Sequence, residues 1–122
     1  MNYGIVIVSH VPELAQGLPK LLQQVAKDVP ITAAGGTDDD EIGTSVTKIM
    51  TAFADNPADE LLTFYDLGSA KMNLELASEM SDKPIHLYDT ALVESAYSAA
   101  ALLEAGVKLP EIEAQLAPLK IK

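Results

Sequence analysis

A chain of 122 residues, 48% hydrophobic and without cysteine, can bury a real core but has no disulfide framework, thiolate nucleophile or cysteine-held metal. Its net charge of −10 at pH 7, with lysine as the sole basic residue type, argues against nucleic acid or an anionic membrane as partner. The same composition excludes the bidentate arginine clamp as a phosphate-holding device.

The apolar, β-branched run at residues 3–8 reads as a buried strand. It ends on Ser9 and His10, and Pro12 follows with Glu13 behind it. Proline suits the first turn of a helix, where its missing N–H would have had no partner. An acidic side chain there is favoured by the helix dipole. Leu14, Leu18, Leu21, Leu22 and Val25 supply an apolar stripe to about Ala26. His10 therefore falls between a strand end and a helix start, which in open α/β sheets is where ligands bind.

Residues 31–34 predict a second strand, stopped by Gly35-Gly36-Thr37 and followed by Asp38-Asp39-Asp40-Glu41. A second helix is expected from Glu41 or Thr44 to about Ala54, with Ile42, Val46, Ile49, Met50 and Phe53 inward. Residues 61–65 predict a third strand, closed by Asp66-Leu67-Gly68-Ser69-Ala70, and a third helix with Met72, Leu76 and Met80 in the core. A fourth strand at 85–88, a helix at 92–105 ended by Gly106, and a short helix at 109–116 follow, with Ile121 offering a terminal edge strand. Strand and helix alternate with short connections throughout. The expected fold is α/β: an open, doubly wound, mainly parallel sheet of four strands with helices on both faces, in one domain over residues 1–122. The N-terminal apolar run has no basic region before it and is too short to span a bilayer, so a soluble, cytoplasmic protein is expected.

Three strand ends meet at one edge of such a sheet: Ser9-His10, Gly35-Gly36-Thr37 and Asp66-Leu67-Gly68-Ser69. Free N–H groups and the dipole at a helix start attract phosphoryl oxygens, and that positive end keeps an imidazole neutral and nucleophilic. Asp66 is suited to orient His10 by accepting a proton from one ring nitrogen. Gly35, Gly36, Thr37, Thr44, Gly68, Ser69 and Ser9 are candidate phosphate-binding positions, the glycines because backbone can approach a ligand there. Singly, His10 reads equally well as a hydrogen-bonded structural residue, Asp66 as a helix cap and each glycine as a turn. Their coincidence at one edge carries the functional reading. Residues 68–71 lack the spacing of a phosphate-binding Walker loop, residues 38–41 lack that of a calcium loop, and neither Ser9 nor Ser69 sits in a nucleophile elbow. No metal or cofactor is expected. His86, inside the fourth strand, reads as structural.

Gly-Ile-Val-Ile-Val-Ser-His at 4–10, Leu-Ala-Gln-Gly at 14–17, Ala-Gly-Gly-Thr at 34–37, Ile-Gly-Thr-Ser at 42–45 and Asp-Leu-Gly-Ser-Ala at 66–70 resemble the DhaM family. These are the phosphotransfer subunits of PEP-dependent dihydroxyacetone kinases, related to mannose-type IIA domains of the sugar phosphotransferase system. A single glycine before Ser69-Ala70-Lys71, where mannose-type domains usually carry two glycines and a Ser-Pro, favours the dihydroxyacetone branch, as does Leu-Val-Glu at 92–94; Ser95 replaces an expected glycine. Some relatives carry further phosphocarrier domains. The resemblance implies that His10 accepts a phosphoryl group from HPr and passes it to ADP on the nucleotide-binding kinase subunit. It also implies a homodimer, for which the small-residue helix at 92–105 is a candidate contact, although packing within the chain explains that helix equally well. The alternatives are a mannose-type IIA component feeding a permease IIB domain, and a non-enzymatic module that senses a phosphorylated ligand.

Overall fold

The computed structural model describes residues 2–122. Four strands, β1 (Tyr3–Ser9), β2 (Ile31–Gly35), β3 (Glu60–Tyr65) and β4 (Ile85–Tyr88), form an all-parallel sheet in the order β2-β1-β3-β4. Five helices connect and follow them: α1 (Pro12–Gln23), α2 (Val46–Asp55), α3 (Lys71–Glu79), α4 (Leu92–Glu104) and α5 (Leu109–Leu116). A 3-10 turn, Gly68–Ala70, leads into α3.

Strand alternation sorts the core into two layers. Ile5, Ile7, Leu62 and Phe64 face α1, α4 and α5, meeting Leu18, Leu22, Ala96, Ala99, Ala100, Ile112 and Leu116. Val6, Val8, Leu61 and Tyr65 face α2 and α3, meeting Ile49, Phe53, Ala70, Leu74 and Ala77. The expected doubly wound α/β fold is therefore the observed one. Its order reverses between β1 and β3, and the crevice past the C-terminal ends of those two strands is the topological switch point.

Element positions agree with expectation more closely than do the buried faces. In α1 the buried residues are Ala15, Leu18 and Leu22, while Leu14 and Leu21 are exposed, and the helix ends at Gln23 rather than near Ala26. Helix α2 starts later than expected, because Ser45 caps it by accepting from the Lys48 N–H at 3.1 Å. Ile42 stays outside the helix and is 78% exposed. In α3 the expected Met72, Leu76 and Met80 are all exposed, Met72 at 78%, and Ala70, Leu74 and Ala77 are buried instead. The 3-10 turn rotates the start of the helix, and small alanines let it lie close to the sheet. The small residues of α4, Ser95, Ala96, Ala99 and Ala100, pack within the chain. Ile121 adds no strand: an isolated antiparallel bridge joins Thr90 and Lys120, and Ile121 is exposed. Among the described residues, no helix is long and apolar enough to cross a membrane.

Candidate functional site

The switch-point crevice brings His10, just beyond β1, against Asp66, just beyond β3. The Asp66 carboxylate is met by four donors. One oxygen accepts from His10 Nδ1–H at 2.8 Å and from the Leu67 N–H at 2.7 Å. The other accepts from the Ser9 hydroxyl at 2.8 Å and from the His10 N–H at 3.0 Å. Ser9 is fully buried, and its oxygen also accepts from the Val11 N–H at 3.0 Å. Burial alone would raise the Asp66 carboxyl. The His10 N–H and ring, the Ser9 hydroxyl and the Leu67 N–H outweigh it and hold the carboxyl below its ordinary value.

This saturation fixes the imidazole chemistry. An ionised carboxylate only accepts, so the ring nitrogen facing it carries a proton. In the neutral ring the lone pair is then on Nε2, which lies 2.6 Å from Ser69 Oγ. With the His10 and Asp66 side chains only 13% and 15% exposed, the ring is held between Asp66 on Nδ1 and the exposed Ser69 on Nε2. The N–H groups of Gly68 and Ser69, at the start of the turn into α3, donate to no acceptor among the described residues. They are available to an anion beside Nε2.

The other candidate positions divide. Thr44 adjoins the site, since the Gly43 N–H donates to His10 O at 2.9 Å, and Thr44 Oγ1 accepts from Asn73 Nδ2 at 2.7 Å. Gly36 and Thr37 have their N–H groups committed inside the protein, to Ser9 O at 3.2 Å and Glu41 O at 2.9 Å. A Cβ on Gly35 would lie 2.6 Å from that of Ala15 and 2.8 Å from Pro12 Cα, and Gly36 has φ +77°. These two glycines let the start of α1 close down on β2 and so set the direction in which His10 leaves the sheet. Sequence reasoning assigned no role to Asn73, Lys71, Asp89 or Lys122, all of which bond around this edge. Ile42 and Met72, expected in the core, are exposed, and each lies within a few residues of the site loops.

A family model described as "PTS system fructose IIA component" matches residues 4–113. The chain belongs to this family. Curated relatives of the IIA family include the "PTS-dependent dihydroxyacetone kinase, phosphotransferase subunit DhaM" of Lactococcus lactis, 54% identical over all of this chain and 99% of the relative. A second is the "PEP-dependent dihydroxyacetone kinase 1, phosphoryl donor subunit DhaM" of Listeria innocua, 45% identical over 98% of this chain and 97% of the relative. A solved structure of a protein described as of unknown function superposes with a TM-score of 0.85 at 31% identity, covering all of this chain and 98% of its own. The resemblance drawn from the motifs and these comparisons point to the same family.

Proposed function

We propose that this chain is the phosphohistidine carrier of a PEP-dependent dihydroxyacetone kinase, with His10 Nε2 as the atom that carries the phosphoryl group. The observation that carries this reading is the four-donor grip on Asp66, which leaves Nδ1 protonated and Nε2 nucleophilic at an open helix start. In the first step the Nε2 lone pair attacks phosphorus on phosphorylated HPr; the Nε2–P bond forms as the P–N bond to the donor histidine breaks. The ring becomes cationic while keeping its Nδ1 proton, and the ionised Asp66 beside it stabilises that charge. Ser69 releases Nε2 and turns its hydroxyl to a phosphoryl oxygen, joined by the N–H groups of Gly68 and Ser69.

In the second step a β-phosphate oxygen of ADP, held on the nucleotide-binding subunit, attacks phosphorus. The Nε2–P bond breaks, ATP forms and the neutral imidazole returns. With no arginine in this chain, the acceptor subunit supplies the cationic groups that stabilise the transferring phosphoryl. A basic docking face on that subunit matches the net charge of −10. Two copies of the chain form the working unit, expected as a dimer mass in sedimentation.

The test is label transfer from PEP through enzyme I and HPr, followed by single-turnover chase onto two acceptors. Acid-labile label that moves to ADP on the kinase subunit supports the proposal. Preference for a mannose-type IIB domain moves the protein to sugar transport, and absence of label leaves a sensing module.

A further inference from the structure

We propose that Lys122 is a positioning residue for the His10–Asp66 pair, its ammonium pinning the peptide of Asp66 from behind the site. The inference rests on the reading of His10 and Asp66 as the phosphoryl-carrying pair. Lys122 Nζ donates to Tyr65 O at 2.6 Å, Thr90 O at 2.7 Å and Asp66 O at 3.3 Å, and stands 4.2 Å from the centroid of the Tyr65 ring. An ammonium has three protons, and here each has a carbonyl. Those carbonyls belong to the last residue of β3 and to residues just past the ends of β3 and β4. The backbone brings the lysine there: Ile121 and Lys122 N–H both reach Asp89 O, at 3.1 and 3.2 Å, and Ala91 N–H reaches Leu119 O at 2.9 Å.

Asp66 is thereby gripped on every polar atom. Its N–H donates to Val8 O at 3.3 Å, its carboxylate takes four donors, and its carbonyl faces Lys122. The charged groups around the ammonium are Asp66 and Asp89, which attract it; burial pulls the other way and lowers its proton affinity. Asp89 is itself held by Tyr65 Oη at 2.6 Å and Lys71 Nζ at 2.9 Å, with Glu75 and Lys120 also acting on this cluster. Removing the Lys122 charge leaves two carboxylates and three carbonyls sharing one strand-end edge with one fewer cation. The Asp66 carboxyl then rises and its hold on Nδ1–H loosens.

The experiment compares the full chain with Lys122→Met and Lys122→Gln, using Lys20→Met, an exposed lysine of α1 that makes none of these contacts, as control. Single-turnover phosphorylation by phosphorylated HPr is expected to slow by on the order of 10-fold in both Lys122 variants, the scale of a loosened orienting group. The HPr concentration giving half-maximal rate should stay as in the parent. The Asp66 carboxyl carbon, followed by 13C NMR, should titrate at higher pH in both variants and not in the control. Should the methionine variant fail to fold, the glutamine variant, which keeps donors but no charge, carries the same test. A parent-like rate, or a slower rate with an unmoved Asp66 titration, overturns the proposal. Absence of any label on the parent would instead overturn the carrier reading on which it rests.

Discussion

The chain holds two imidazole–carboxylate pairs, and they differ in almost everything except composition. His86 pairs with Glu60 through Nε2 across strands β4 and β3. It sits inside an edge strand, two residues from Tyr88, whose ring stacks with it at 6.4 Å and with Phe64 at 5.3 Å. His10 lies beyond the end of a central strand, where the order of the sheet reverses, and its carboxylate is saturated by four donors. At His86 the carboxylate meets the ring from the neighbouring strand, within the paired part of the sheet. At His10 the ring is oriented by the carboxylate and presented to unpaired N–H groups. Position in the sheet, rather than the pair of residue types, separates the proposed phosphoryl-carrying site from the pair read as structural.

The largest effect that distinguishes the pairs is expected at the carboxylates. Asp66→Asn should slow phosphorylation by a factor on the order of 10²–10⁴, the range for orienting and acid–base groups. The amide can present a donor to Nδ1 and so favour the wrong tautomer. Glu60→Gln should leave the rate within about twofold, since no reacting atom depends on it. Stopped-flow or rapid-quench labelling measures both, and equal losses would erase the distinction.

The same carboxylate has a signature in stability. The folded-state carboxyl of Asp66 is lowered, so its contribution is present above the unfolded value of about 4 and is lost as pH falls through the folded value. The difference in urea midpoint between the parent and Asp66→Asn should therefore shrink from pH 7 to pH 3. A constant difference would mean that the grip on the charged form contributes nothing.

A smaller effect belongs to Ser69. Loss of one hydrogen bond of about 1 kcal/mol to the transferred group corresponds to about a fivefold slower rate. Ser69→Ala should show that in single turnover while the unfolding midpoint stays put, because the hydroxyl is at an exposed turn. The smallest effect is His86→Gln, for which the rate should match the parent and stability should fall by no more than about 1 kcal/mol, as for one partly exposed side-chain hydrogen bond. A rate loss there larger than that of Ser69→Ala would contradict the assignment of His86 to structure.

Much of this was legible in the sequence, for a physical reason. Strand β1, the proline that opens α1 and the Asp-Leu-Gly-Ser stretch are local signals, and alternation of strand and helix places their ends on one edge. The buried faces of α3 were not legible, because alanines rather than methionines carry the packing against the sheet, and a 3-10 turn shifts the phase of the helix. Lys122 gave no signal at all: its partners are carbonyls of Tyr65, Asp66 and Thr90, brought to it by the chain path and not by any residue pattern. The roles of Gly35 and Gly36 divide between these cases. The turn they make is local, yet the neighbours that demand their small size, Pro12 and Ala15, come from α1, some twenty residues earlier in the chain.

On the reading proposed above, one nitrogen of one histidine carries the phosphoryl group. The direct measurement is 15N and 31P NMR of the chain after phosphorylation by PEP, enzyme I and HPr, alongside His10→Gln and His86→Gln. A single phosphohistidine is expected, with phosphorus on Nε2 of His10, unchanged by His86→Gln and absent from His10→Gln. Phosphorus on Nδ1, or label retained by His10→Gln, would contradict it.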